Sequence, residues 1–360
     1  MAAAGTTVGI AGAGIMGRVL AWQLQRAGCE VTLFDRDPIE HGSAAAYTAA
    51  GMLAPFSELD SAESSIYKLG QRSLKLWPSI IGSLNMPGLF HQRGSLVVAH
   101  GQDAADLEHF KQLLRRKVPG ESGVEFVDRH GLRDLEPELA EQFDDAIYLA
   151  GESWVLTGEL MATLANRLQD NGAHWHAQCE VTGLESGLIQ TETGSHTFDW
   201  VADCRGLGAR EDLPGLRGVR GEVIHVHAPD VTIRRMVRLM HPRYRLYLVP
   251  RPDNHYLLGA TQIEAEDMSA ISVRSALELL SALYAIHPAF GEARVVETRT
   301  NCRPALLDNQ PLVKARDRML EINGLYRHGY LLAPALAEQA KRCMWEPANE
   351  QHDSEPDTVE

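Results

Sequence analysis

Residues 6–35 read TTVGIAGAGIMGRVLAWQLQRAGCEVTLFD. TTVGIA is a short apolar run that predicts a buried strand, and IMGRVLAWQLQRAG has the apolar spacing of a helix. EVTLFD predicts a second strand, so the stretch reads as a βαβ unit with a glycine turn inside it. Gly12, Gly14 and Gly17 fall in that turn as GxGxxG, and Asp35 ends the second strand roughly 20 residues further on.

In such a unit the first glycine permits the tight turn, the second lets a pyrophosphate approach the backbone, and the third lets helix and strand pack closely. The helix N-terminus adds unpaired N–H groups and the positive end of its dipole, and Asp35 would accept hydrogen bonds from the adenosine ribose. The motif predicts a dinucleotide site, and by itself it suits FAD and a nicotinamide dinucleotide equally. Residues 8–22 are apolar enough to imitate an export signal, but no basic segment precedes them and the glycines follow a functional spacing. A cytoplasmic protein is the reading that follows.

Around this unit the chain has the composition of a folded globule, 44% hydrophobic and 23% charged, and no apolar run approaches the ~20 residues a membrane span needs. Its 360 residues suggest two domains. A net charge of -14 without a basic face argues against nucleic acid as a partner. The five scattered cysteines contain no CxxC pair, which favours reduced thiols over a disulfide framework or a zinc site.

Amphipathic spacing predicts helices at about 62–84, 102–117, 157–171 and 271–286. In the third, Leu160, Met161, Leu164, Ala165 and Leu168 make one stripe, with Thr157 at the N-cap position and Glu159 in the first turn. GEVIHVHA, YRLYLVP and HYLLGAT, between residues 218 and 261, predict an antiparallel sheet outside the βαβ domain. The acidic, proline-containing tail EPANEQHDSEPDTVE is too poor in apolar side chains to order itself.

Six further stretches carry a resemblance: SAAAYTAAGMLAP (43–55), VADCRGLGAR (201–210), GVRGEVIHVHAP (218–229), LYLVPRPDNHYLLGAT (246–261), RPALLDNQPLV (303–313) and GLYRHGYLLAP (324–334). In this order the chain resembles the FAD-dependent D-amino-acid oxidase superfamily, most closely its glycine-oxidase branch of thiamine biosynthesis, up to about residue 340. The resemblance implies an α/β fold, with a Rossmann-type FAD-binding domain (1–85, 146–222 and 296–345). An interleaved α+β substrate domain (86–145 and 223–295) is built on a mainly antiparallel sheet, and 346–360 form a disordered tail.

The same resemblance implies noncovalent FAD, contacted by Gly12, Gly14, Ile15, Met16, Gly17, Asp35, Arg36, Ser43, Ala49, Ala50, Gly51 and the backbone of Val181. Leu325, Tyr326, His328, Gly329, Tyr330 and Leu331 would close over the cofactor. Arg303 and Arg327 would hold a substrate carboxylate, with Tyr247 reaching it from the sheet. Arginine suits that task because its planar fork matches a carboxylate at two points and stays charged when desolvated.

The implied reaction is oxidation of glycine or a similar small amino acid to the imine, then the keto acid, with O2 reduced to hydrogen peroxide. The flavin carries the difficult chemistry, so no protein acid or base is assigned. None of the 15 histidines is read as a base or metal ligand, since His225 and His227 alternate on one strand without a clear third partner. Gln262 stands where some relatives have methionine. Cys302 lies one residue from the position of the covalent flavin cysteine in sarcosine-type oxidases, which turns it to the other face of a strand. A secondary-amine oxidase, a flavoprotein serving a protein partner and a nicotinamide dehydrogenase stay open as alternatives, as does assembly into a homo-oligomer.

Overall fold

Strand β1 (Thr7–Ala11) is apolar on both faces because both are covered: Val8 and Ile10 are fully buried, and Gly9 leaves room for the Phe198 ring. The computed structural model describes residues 5–120, 122–241 and 246–345, and in it β1 lies inside a six-stranded sheet. Helix α1 (Ile15–Gln25) connects β1 to β2 (Glu30–Phe34), which pairs with it in parallel. Trp200–Asp203 pairs in parallel on the other side of β1, His174–His176 beyond β2, and Met319–Asn323 beyond Trp200–Asp203. Leu312–Arg316 closes the edge as an antiparallel partner.

The strands of this sheet end together. The Gly12 N–H donates to Phe34 O at 2.8 Å, the Cys204 N–H to Ala11 O at 2.7 Å and the Asp35 N–H to His176 O at 3.0 Å. Ligands of open α/β sheets bind in the crevice outside such carboxyl ends. The crevice is walled by the helix Gly329–Trp345, which packs on α1 and on α3 (Ser64–Leu84). Trp77 of α3 is fully buried, and its Nε1 donates to Tyr330 O at 3.1 Å.

A second sheet of eight strands runs Arg294–Ala305, Arg217–His227, His255–Gly259, Leu246–Pro250, Met236–Leu239, Ser95–Val98, Asp145–Leu149 and Val124–Asp128. Its pairs are antiparallel except Met236–Leu239 with Ser95–Val98. One face rests on helix Val273–Ile286 through Leu279, Leu283 and Ile286; the other turns Tyr247, Val249 and Leu257 toward Ala50 and Ala54 of the small-residue segment. The two sheets thus meet across 43–55.

Two details differ from the sequence reading. The boundaries placed at 222/223 and 295/296 cut two strands that run unbroken, since Arg217–His227 and Arg294–Ala305 pair from Arg217↔Ala305 to His227↔Arg294. Both therefore belong to the large sheet and carry it to the crevice. Thr157 is the first helical residue, with Leu156 in the cap position and no side-chain cap, because the chain arrives directly from the buried strand Ser153–Val155. The four predicted helices appear as Ser64–Leu84, Ala104–Lys117, Thr157–Asp170 and Val273–Ile286. The predicted tail at 346–360 and residues 244–245 of the YRLYLVP strand lie outside the described residues.

Helix α1 lies so close to the turn that a Cβ on Gly17 would stand 1.9 Å from Gly12 O. Gly17→Ala is therefore expected to push the helix off the strand and lower stability by about 1–3 kcal/mol, as overpacked sites do. Thermal melting measures it, and an unchanged Tm would show that the close approach is dispensable.

Candidate functional site

A cavity of about 930 Å³ follows the carboxyl ends of the parallel strands and continues under the large sheet. Gly12, Gly14, Ile15, Met16, Asp35, Arg36, Ser43, Ala49, Ala50, Gly51 and all of 325–331 line it, as do Tyr247 and Arg303. Gly17 lies beneath the turn. Val181 packs instead with Phe34, Ile189 and Val201, in a small core behind β2.

At the glycine turn the local geometry leaves little choice of residue. Gly12 has φ +93°, and a Cβ there would lie 2.4 Å from Cys204 O. A Cβ on Gly14 would meet nothing nearer than Ala44 Cβ at 4.0 Å, so the backbone there is open to a bulky group. Gly14 caps α1 without a side-chain hydrogen bond, which leaves the first helical N–H groups available to an anion. Asp35 braces the turn, accepting from the N–H of Ala13 and of Asp37. From below, the buried Arg18 donates to Ala13 O at 2.7 Å and Ile39 O at 3.0 Å.

Further along the cavity, Gly51 (φ +70°) passes 2.4 Å from Val155 O at its missing Cβ, and Ala49 and Ala50 keep that wall thin. Opposite, the helix Gly329–Trp345 points its N-terminus inward through Gly329, Tyr330 and Leu331. These features fit FAD: α1 and Gly14 would hold the diphosphate, Asp35 the ribose, and Ala49–Gly51 with the helix terminus the ring system.

The far end of the cavity is electrostatically uneven. Arg303 projects from Arg294–Ala305 across Gly221, where any Cβ would lie 2.1 Å from its Nη2. Its Nη1 donates to the carbonyls of Arg220 at 3.2 Å and Thr261 at 3.1 Å. No described carboxylate pairs with it, and burial lowers its pKa. Asp308, the nearest acid in sequence, accepts from the Gln310 N–H instead. A guanidinium desolvated in this way would gain from an anionic ligand. The Tyr247 phenol sits in the same field; burial raises its pKa while Arg303 and Arg327 act against that rise.

Arg327 is placed differently from the expectation of two guanidinium groups sharing one carboxylate. Its Nε and Nη2 donate to Glu58 Oε2 at 3.1 and 2.5 Å, and Nη2 also donates to Ser61 Oγ at 2.6 Å. Burial opposes ionisation of Glu58, but the paired Arg327 guanidinium, with Arg238 nearby, outweighs it and holds its pKa below the usual value. Burial pushes His328 down to about 4, so the imidazole is neutral at pH 7 despite Glu58 Oε2 lying 3.7 Å from Nδ1.

Sequence reasoning missed Glu58. The only local signal is the segment PFSELD, an acid one turn after a proline that opens helix α2 (Pro55–Glu58), immediately past the small-residue loop. α2 is held from two sides: Glu152 accepts from the Ser57 N–H at 2.8 Å and Oγ at 2.9 Å, and from Ser95 Oγ, while Arg238 donates to Ser57 O at 2.8 Å. The histidines singled out earlier have other surroundings. His227 stacks on His255 with centroids 4.6 Å apart, and burial pushes His225 down to about 4. Among the described residues no group of three or more His, Cys, Asp and Glu could hold a metal, and no helix is long and apolar enough to cross a membrane.

Burial pushes the pKa of Glu152 from 4.5 up to about 7. The folded chain then keeps a proton that the unfolded chain releases, so stability falls as pH rises between those two values and is level above them. Glu152→Gln abolishes this titration. Its stability relative to the parent, read from thermal melts, is expected to improve on going from about pH 5 to about pH 8, by up to ~3 kcal/mol at ~1.4 kcal/mol per pKa unit. A pH-independent difference would show that Glu152 is ionised throughout.

Comparison with known proteins extends these observations. The chain matches the family described as FAD dependent oxidoreductase over residues 7–342. It is 43% identical, over 93% of its own length and 95% of the other's, to a Rhizobium etli protein whose name provisionally assigns it to thiamine biosynthesis as the oxidoreductase ThiO. It is 28% identical to glycine oxidase of Geobacillus kaustophilus, over 91% of this chain and 89% of that one. Its fold matches the crystal structure of glycine oxidase from Geobacillus kaustophilus with a TM-score of 0.81 at 27% identity, covering 94% of each chain. The family match spans the glycine turn, both sheets and the closing helix, and with it the chain belongs to the FAD-dependent oxidoreductase family and takes FAD as its cofactor.

Proposed function

We propose that this flavoenzyme oxidises glycine or a similarly small amino acid at its amine, using O2 as the acceptor. The observation that carries the reading is Arg303, a buried guanidinium in the cavity wall with carbonyl partners but no described carboxylate. The similarity to proteins named glycine oxidase supports it. The name of the Rhizobium etli relative supports a role in thiamine synthesis.

Bound FAD supplies a two-electron acceptor that O2 regenerates, with release of hydrogen peroxide. Arg303 grips the substrate carboxylate at two points and so sets both its position and its orientation, and Tyr247 borders the same space. His328, neutral and with a pKa near 4, is too weak a base to take a proton from an ammonium group. With no base at His328, the amine would bind in its neutral form, its proton already lost to water. Glycinate gives up two electrons and two protons to become the imine of glyoxylate, which water converts to glyoxylate and ammonia. Cys302 points its Sγ toward the carbonyls of Ala265 and Asp267, 3.9 Å from each, which favours a noncovalent flavin.

Adding glycine, sarcosine and D-alanine in turn to the protein without oxygen is expected to bleach the visible flavin band, with glycine among the effective amines and NADH without effect. Bleaching by NADH alone would reverse the assignment. Arg303→Ala is expected to raise KM for glycine by about 100-fold or more while the protein stays yellow. An unchanged KM would remove Arg303 from the substrate site.

A further inference from the structure

The proposed substrate end of the cavity holds two guanidinium groups, yet it presents the field of one. Among the described residues Arg303 has only carbonyl acceptors, whereas Arg327 is neutralised by Glu58 and capped by Ser61. The other titratable groups acting on this pair are Tyr247, Tyr326, Cys302 and His328, all uncharged at pH 7 because burial raises the phenols and the thiol and lowers the imidazole, and Arg238, which Asp60 neutralises at 2.6 Å. The site therefore carries one net positive charge, which matches a single carboxylate on a substrate whose amine is neutral.

Glu58 is not a loose surface acid that happens to reach Arg327. It ends the short helix α2, which Glu152 holds through Ser57 and Arg238 holds through the Ser57 carbonyl. From the other side, Tyr326 adopts a left-handed backbone (φ +50°), a costly conformation for a residue with a side chain, directly before Arg327. Both partners are thus fixed by their own elements. Arg303 and Arg327 are close enough for each charge to act on the other, so without Glu58 the cavity would offer two arginine forks to one ligand.

We propose that Glu58 is a specificity-determining residue: by pairing with Arg327 it restricts the site to amines bearing one carboxylate and excludes dicarboxylic amines. This rests on the amino-acid oxidase reading given above. A second carboxylate would meet Glu58 itself or find its guanidinium partner already occupied, and either outcome penalises the wrong substrate through repulsion or an unpaired buried charge.

The test compares kcat/KM for glycine with that for D-aspartate and N-carboxymethylglycine in the parent, in Glu58→Gln, and in the double variant Glu58→Gln with Arg327→Gln. Glu58→Gln is expected to raise the dicarboxylate-to-glycine ratio by about tenfold or more, and the double variant, which lacks the second fork, to lose that gain. An unchanged ratio in Glu58→Gln, or a gain that persists in the double variant, overturns the proposal. A measurement on the parent alone covers the case in which Glu58→Gln does not fold: titration of the flavin spectrum with glycolate and with malonate. Glycolate is expected to bind about tenfold tighter or better, and malonate binding as tightly or more tightly overturns the proposal. If the parent oxidises no amine, the oxidase reading fails by itself, and the two-acid titration still reports the charge that Glu58 sets.

Discussion

The contact on which the rest of the molecule is built is the approach of α1 to the backbone of the turn before it. With Gly17 against Gly12 O, the helix sits tight on β1 and its N-terminus opens toward the ends of β1 and β2. That alignment brings Gly12, Asp35 and Cys204 to one level, so a single crevice collects the unpaired N–H groups, the acid and the positive helix end. Arg18 reinforces the arrangement from underneath by capturing the carbonyls of Ala13 in the turn and Ile39 beyond β2. A dinucleotide site here is a consequence of packing, and the backbone dipoles of the turn would meet much of the ligand's charge. This also explains how a chain with a net charge of -14 can hold a diphosphate.

Burial governs the other end of the cavity. Removing water makes each charge costly and each pairing decisive, so the two arginines acquire different roles although they are chemically identical. Arg303 keeps its charge available because Gly221 admits its side chain and, among the described residues, its hydrogen bonds go only to carbonyls. Arg327 meets Glu58 and becomes part of the wall. The same burial keeps His328 neutral and the phenols protonated, so that under the proposed function positioning and a single positive charge would be the protein's contributions to the chemistry.

The sheets connect these two ends. Arg217–His227 and Arg294–Ala305 run unbroken from the outer part of the large sheet to the crevice, so Arg303 is delivered by a long two-stranded ribbon rather than by a loop. The helix Gly329–Trp345 approaches from the opposite side and carries Arg327 just ahead of its first turn. Substrate groups held by strands and helix ends keep their geometry better than groups on mobile loops.

Much of the molecule was legible in the one-dimensional chain wherever a function depends on a few adjacent residues. The glycine turn, Asp35, the small-residue segment and the four long helices are of this kind, because backbone sterics and amphipathic period act over one or two turns. The choice of arginine as an anion anchor is local chemistry as well. What the sequence could not decide is which cation is free: Glu58 lies far from Arg327 along the chain, while Asp308, close to Arg303, faces elsewhere. Where one domain yields to the next is not marked either, since the paired strands Arg217–His227 and Arg294–Ala305 run through both expected boundaries. Neutralisation and strand pairing are relations between distant segments, and only the folded chain brings those segments within range.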